Sequence, residues 1–121
     1  MLTVSELSVS YGAVRALANV SLSVPPGEVT AVIGANGAGK STLMRTLAGL
    51  VRPASGSASL DGQPITGRKA EDIVRMGMAL VPEGRSTIPD LTVEENLRLG
   101  GLWRNRSDRA ASQSEVFDLF P

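Results

Sequence analysis

From residue 2 to residue 9 apolar and polar positions alternate, Leu2 and Val4 first, then Leu7 and Val9. This period of two predicts one or two half-buried strands, ended by a turn at Ser10, Tyr11 and Gly12. Val20, Leu22 and Val24 alternate with serines and predict a second strand, and Pro25, Pro26 and Gly27 then force a hard turn. The two strands suggest an antiparallel lead-in sheet. Residues 29–33 (Val-Thr-Ala-Val-Ile) form a nearly continuous apolar run. Such a run predicts a strand buried on both faces, as in a parallel sheet. The period then changes to that of a helix over residues 40–48, with Gly49 as its C-terminal cap and Pro53 beyond.

A short strand is expected over residues 56–60, with a turn at Asp61 and Gly62. Residues 68–76 suit a helix that turns Ile73, Val74 and Met76 inward and stops at Gly77. Residues 78–81 (Met-Ala-Leu-Val) resemble a second buried strand, left by a loop at Pro82, Glu83, Gly84 and Arg85. Thr92, with Glu95 three positions on, has the spacing of a capping box. The helix it opens carries Val93, Leu97 and Leu99 and stops at Gly100 and Gly101; apolar residues at helical spacing favour Val93 and Leu97 as core. Ser107 or Asp108 is expected to cap a last helix reaching Phe120.

Between the apolar run and the first helix lies G-x-x-x-x-G-K-S, from Gly34 to Ser41. Strand, glycine loop and helix in that order are the context that gives this spacing its chemistry. The amide groups at a helix start lack intrahelical acceptors and point at an anion, and the helix dipole favours it. Side chains would block so close an approach, so Gly34, Gly37 and Gly39 let the chain curl around a polyphosphate. Lys40 brings a mobile positive charge, and the Ser41 hydroxyl suits Mg²⁺. The competing reading, a glycine-rich turn with a solvated lysine, leaves both flanks unexplained.

Composition narrows the chemistry further. The 121 residues suit one domain, and an apolar content of 42% permits a core built of Val, Leu, Ile, Ala and Met, since aromatics make up only 3%. Twelve basic and twelve acidic residues cancel, so no net field attracts nucleic acid. With no cysteine and no histidine, this chain contains neither a disulfide framework, nor a Cys/His zinc site, nor a histidine base. No stretch has a signal-peptide layout, and no apolar run approaches the roughly 18 residues of a membrane span. The expected setting is cytoplasmic.

Taken together, Tyr11-Gly12, the loop from Gly34 to Ser41, Leu80-Val81-Pro82-Glu83-Gly84-Arg85 and Leu91-Thr92-Val93-Glu94-Glu95-Asn96-Leu97 resemble the ATP-binding subunit of an ABC transporter. The pairing of Val-Pro-Glu-Gly-Arg with Thr-Val-Glu-Glu-Asn-Leu is similar to the branched-chain amino acid importer branch. The resemblance implies an α/β fold, a P-loop nucleoside-triphosphate-hydrolase core with an antiparallel β lead-in sheet. Residues 1–27 would be the lead-in, 28–83 the P-loop core and 84–121 the start of a helical lobe of one domain. It implies ATP and Mg²⁺ as ligands. Asn36, Gly37, Ala38, Gly39, Lys40, Ser41 and Thr42 would hold nucleotide, with Thr42 reaching the α-phosphate. Tyr11 would stack on adenine, with Ala16 lining the same face; a flat ring offers its π-face to a base. The plainer reading of Tyr11 is an ordinary turn aromatic.

Glu83 departs from the family, which mostly carries glutamine at this position. An ionised glutamate only accepts hydrogen bonds, so it could bind Mg²⁺ but would repel a nearby γ-phosphate. Glu83 is therefore expected to act with Lys40 in catalysis mainly as a coupling residue that reaches the metal through water. The alternative is a solvated carboxylate paired with Arg85, a weak arrangement. Residues 84–100 would correspond to the surface that grips a membrane subunit.

Family members run well beyond this length and carry, further on, a Ser-Gly-Gly signature, an apolar strand ending in Asp, a catalytic Glu and a switch His. The chain is thus expected to be an N-terminal part, truncated before the signature and catalytic segments and inactive alone. The phosphate loop positions and neutralises charge but does not activate water. The implied partners are transmembrane permease subunits and a second ATP-binding subunit. Through the permease the protein would sit peripherally on the inner face of the cell membrane, energising solute import. The competing function is a non-catalytic nucleotide-binding regulatory or interaction module. A kinase or other P-loop enzyme is disfavoured by the antiparallel lead-in and by residues 81–97.

Overall fold

The computed structural model describes residues 1–84 and 86–121, which form two compact units, Met1–Leu80 and Val81–Pro121. In the first unit, strands β1 (Leu2–Tyr11), β2 (Val14–Val24), β3 (Ser55–Leu60) and β4 (Gln63–Pro64) form one sheet. Its order is β2-β1-β3-β4 and every pairing is antiparallel.

The jump in phase between Val4 and Leu7 marks a bulge in one strand rather than a break between two. Leu2 pairs with Val24 and Val4 with Leu22, but Leu7 pairs with Val20, so β1 carries an extra residue there. Glu6 supplies it, at φ 49, with its amide donating to Ser21 Oγ at 2.8 Å. An extra residue flips the phase, so Val4 and then Leu7 and Val9 all reach the core. β3 meets the same bulge with Gly56, where a Cβ would lie 2.4 Å from the Glu6 carbonyl oxygen.

Helix α1 (Lys40–Leu47) lays Leu43 and Leu47 onto this sheet. It ends as its sequence requires. The Gly49 amide donates to the Thr46 carbonyl and the Leu50 amide to the Arg45 carbonyl, with Gly49 at φ 77. This is a Schellman cap. Helix α2 (Ala70–Arg75) is shorter than expected at both ends and buries Ile73.

Two expected strands do not form. Residues 29–33 carry no strand, with Val29 fully and Ile33 92% exposed. Residues 78–81 carry none either, and Val81 is 92% exposed, although Met78 packs partly against the core. A strand needs a neighbour for its ladder, and among the described residues the only ladders are those of the antiparallel sheet.

The second unit holds α3 (Val93–Gly100) and α4 (Arg106–Leu119). The capping box is present: the Glu95 amide donates to Thr92 Oγ1 at 3.2 Å and the Thr92 amide to Glu95 Oε2 at 2.8 Å. The Thr92 amide first, and then the Thr92 hydroxyl, which donates to the same Oε2 at 2.9 Å, hold the Glu95 carboxyl below its ordinary value, with Arg98 adding to them. The cap of α4 is Asn105, not Ser107 or Asp108; its Oδ1 accepts from the Asp108 amide at 2.9 Å. Val93 is 71% exposed and α3 buries no residue, so Val93 and Leu97 are not core. Two short helices by themselves have too little surface to enclose them.

Candidate functional site: the glycine loop at the start of helix α1

The loop turns sharply where glycines allow it. The Ala38 amide donates to the Ala35 carbonyl at 3.1 Å, closing a turn over Asn36 and Gly37, and Gly37 sits at φ 82. Gly39 follows at φ 93 as the residue before α1, and no side chain caps the helix start. The first intrahelical bond runs from the Leu43 amide to the Gly39 carbonyl at 2.9 Å. No acidic residue stands in this first turn, so the positive end of the helix dipole faces no carboxylate on its own helix.

Lys40 turns back across the loop. Its Nζ donates to the carbonyl oxygens of Gly34, at 2.6 Å, and Ala35, at 2.8 Å. The ammonium is therefore held over the loop rather than solvated on a loose stem. Ser41 is exposed and Thr42 half-buried in the same turn. Thr42 also accepts, through its carbonyl, a hydrogen bond from Thr46 Oγ1 at 2.8 Å.

The hairpin of β1 and β2 comes up against this loop. A Cβ on Gly39 would lie 2.5 Å from the Ala16 carbonyl oxygen and 2.6 Å from Leu17 Cδ2. Ala16 is thus brought beside the end of the loop. Tyr11 closes the hairpin opposite Val14, half-exposed at 47%. The structure gathers Gly34, Asn36, Gly37, Ala38, Gly39, Lys40, Ser41 and Thr42 into one turn, with Ala16 packed beside it. Glu83 lies exposed in the other unit, and the suggested pairing with Arg85 falls outside the described residues. Among the described residues no three His, Cys, Asp or Glu side chains cluster as a metal cage.

Sequence reasoning missed the structural roles of two residues. Asn96 Oδ1 accepts from the Ile88 amide at 2.9 Å, and its Nδ2 donates to the Thr92 carbonyl at 3.0 Å, fastening residues 88–92 to α3. Its place one residue after the capping-box glutamate was the available signal. The packing role of Gly39 had no signal, because it depends on a strand more than twenty residues away.

A G-x-x-x-x-G-K-S loop opening a helix, backed by an antiparallel hairpin, is the arrangement of a P-loop protein of the ATP-binding cassette type. The family model for ABC transporters matches residues 17–120. The chain belongs to the ABC transporter family. It is 45% identical over its whole length to a high-affinity branched-chain amino acid transport ATP-binding protein, BraG, of Pseudomonas aeruginosa, covering 52% of that protein. A ribose import ATP-binding protein, RbsA 2, of Streptomyces avermitilis is 46% identical over 83% of the chain and 20% of its own length. The chain thus spans about half the length of the first relative and a fifth of the second. A solved nucleotide-free ATP-binding cassette from an ABC transporter superposes with a TM-score of 0.79 at 28% identity, over 90% of this chain and 44% of that one.

Proposed function

We propose that this chain binds ATP with Mg²⁺ as part of a subunit that energises solute import, with branched-chain amino acids as the solute class. The observation that carries the reading is the loop itself: Lys40 poised over Gly34 and Ala35 at the start of a helix free of acidic residues in its first turn. The solute class is supported by the relative that matches the whole chain at 45% identity, where a ribose import protein that matches 99% of it is 37% identical.

In this reading the loop amides and the α1 dipole hold the phosphates. Lys40 exchanges its two carbonyl acceptors for phosphate oxygens, which as anions are the stronger partners. Tyr11 and Ala16 receive the base, and Thr42 meets the α-phosphate. A magnesium ion suits the donors present, since it favours few protein ligands and many phosphate and water oxygens. Ser41 would supply its hydroxyl, and the ion would neutralise phosphate charge. Glu83 reports the nucleotide state to a permease. The partners are permease subunits and a second ATP-binding subunit, and the location is the inner face of the cell membrane. None of the residues placed at the loop activates water, so phosphate release by this chain alone stays at background.

Calorimetric titration of the folded protein with ATP and magnesium tests this. Lys40→Ala should weaken binding by about tenfold or more, the loss of a hydrogen bond to a charged group. No binding by the folded wild type overturns the reading. Steady phosphate release abolished by Lys40→Ala overturns the claim of inactivity. Magnesium-dependent affinity that is identical for wild type, Glu83→Gln and Glu83→Ala removes Glu83 from the metal.

A further inference from the structure

The glycines at 37 and 39 both have left-handed backbones, at φ 82 and φ 93, but their surroundings differ. A Cβ on Gly37 would meet nothing within 4 Å, so conformation alone explains that glycine. A Cβ on Gly39 would run into the backbone of β2 at the Ala16 oxygen and into Leu17, whose side chain is buried in the core. Backbone cannot yield as a flexible side chain can. β2 also has a register shift here: Val9 pairs with Leu17 but Ser10 with Arg15, which leaves Ala16 as an extra residue on β2. Bulges of this kind re-aim a strand locally. The strand bulges where the loop arrives, and the loop has a glycine where the strand bulges.

We infer that Gly39 is a positioning residue that sets the distance between the hairpin carrying Tyr11 and Ala16 and the phosphate-holding start of α1. This rests on the nucleotide reading above. With only a hydrogen between Gly39 and β2, the residue that opens α1 cannot move toward the hairpin without displacing Ala16. The base and phosphate halves of the site therefore behave as one body. The spacing bears on a ligand that spans both halves, so that the base adds affinity over a bare polyphosphate.

The test compares ATP with inorganic triphosphate, both with magnesium, on wild type, Gly37→Ala and Gly39→Ala. Amide hydrogen exchange of the wild type is followed in parallel with inorganic triphosphate alone. Gly37→Ala should weaken both ligands by the same factor. Gly39→Ala should cost ATP more than triphosphate, so that their affinity ratio falls toward one. In the wild type, triphosphate without a base should slow exchange at residues 15–17. The slowing should reach up to about a hundredfold at free ligand a hundred times its dissociation constant. An unchanged affinity ratio in Gly39→Ala, or unchanged exchange at 15–17 with triphosphate bound, overturns the inference and leaves the nucleotide reading standing. If Gly39→Ala does not fold, the wild-type exchange result decides alone. Failure of wild type to bind either ligand overturns the nucleotide reading, and the inference with it.

Discussion

Residues 29–33 and helix α1 leave the same glycine loop in opposite directions, and both are rich in apolar side chains. α1 is closed: the Leu43 and Ala48 amides find the Gly39 and Met44 carbonyls, a Schellman turn seals its end, and Leu43 and Leu47 are buried on the sheet. Residues 29–33 have Val29 and Ile33 almost wholly in solvent and no ladder among the described residues. The same contrast recurs between α2, which buries Ile73, and residues 78–81, which form no strand. A helix carries its hydrogen-bond acceptors within its own sequence and needs only one face covered. A strand of the doubly buried kind takes its acceptors from neighbours and needs both faces covered. An apolar run without those neighbours is a site for association through its edge and surface.

Substitutions can break this contrast. The largest effect is expected at Leu7, which β1 buries fully in the core. Leu7→Ala should destabilise the fold by about 2–5 kcal/mol in denaturant unfolding followed by circular dichroism. Gly49→Ala comes next. A Cβ there would lie 2.8 Å from the Arg68 carbonyl oxygen in a backbone at φ 77, so the loss should exceed about 1 kcal/mol. Gly62→Ala, at φ 78 but in open space, should cost less, and the difference measures the close approach alone.

Thr92→Ala should cost about 1 kcal/mol of α3 stability by removing the cap. The same cap gives a pH dependence with a definite sign. The Glu95 carboxyl lies below its ordinary value in the folded state. The helix-stabilising effect is therefore fully present above the unfolded carboxylate range and is lost as pH falls through the folded value. A carboxylate titration by NMR should show a depressed midpoint for Glu95 in wild type and a less depressed one in Thr92→Ala, which loses the hydroxyl donor but keeps the backbone amide.

The smallest effect is expected at Ile33. Ile33→Ser should change unfolding stability by less than about 0.5 kcal/mol. It should also reduce self-association in sedimentation. A loss rivalling that of Leu7→Ala would show that residues 29–33 are buried in solution, and the contrast with α1 would fail.

Much of the site was legible in residue order. The glycines, Lys40 and Ser41 form one turn because their reach is local, a few residues of backbone at the start of a helix. The capping box at Thr92 and Glu95 and the cap at Gly49 were legible for the same reason. The jump from Val4 to Leu7 was visible as a change of phase, but only the pairing with β2 and β3 showed it to be one bulged strand. Val93 and Leu97 misled because helical spacing says which side chains share a face, not whether anything covers it.

The amino-acid order by itself determined the glycine loop, helix α1 with its cap at Gly49 and the capping box of α3, since hydrogen bonds between residues a few positions apart are written directly in that order. Tertiary structure alone decided which apolar runs became strands, that Gly39 lies against Ala16, and that α3 buries none of its residues. Each of these depends on surfaces distant in sequence coming together, where free energy is set by what lies opposite rather than by what lies next.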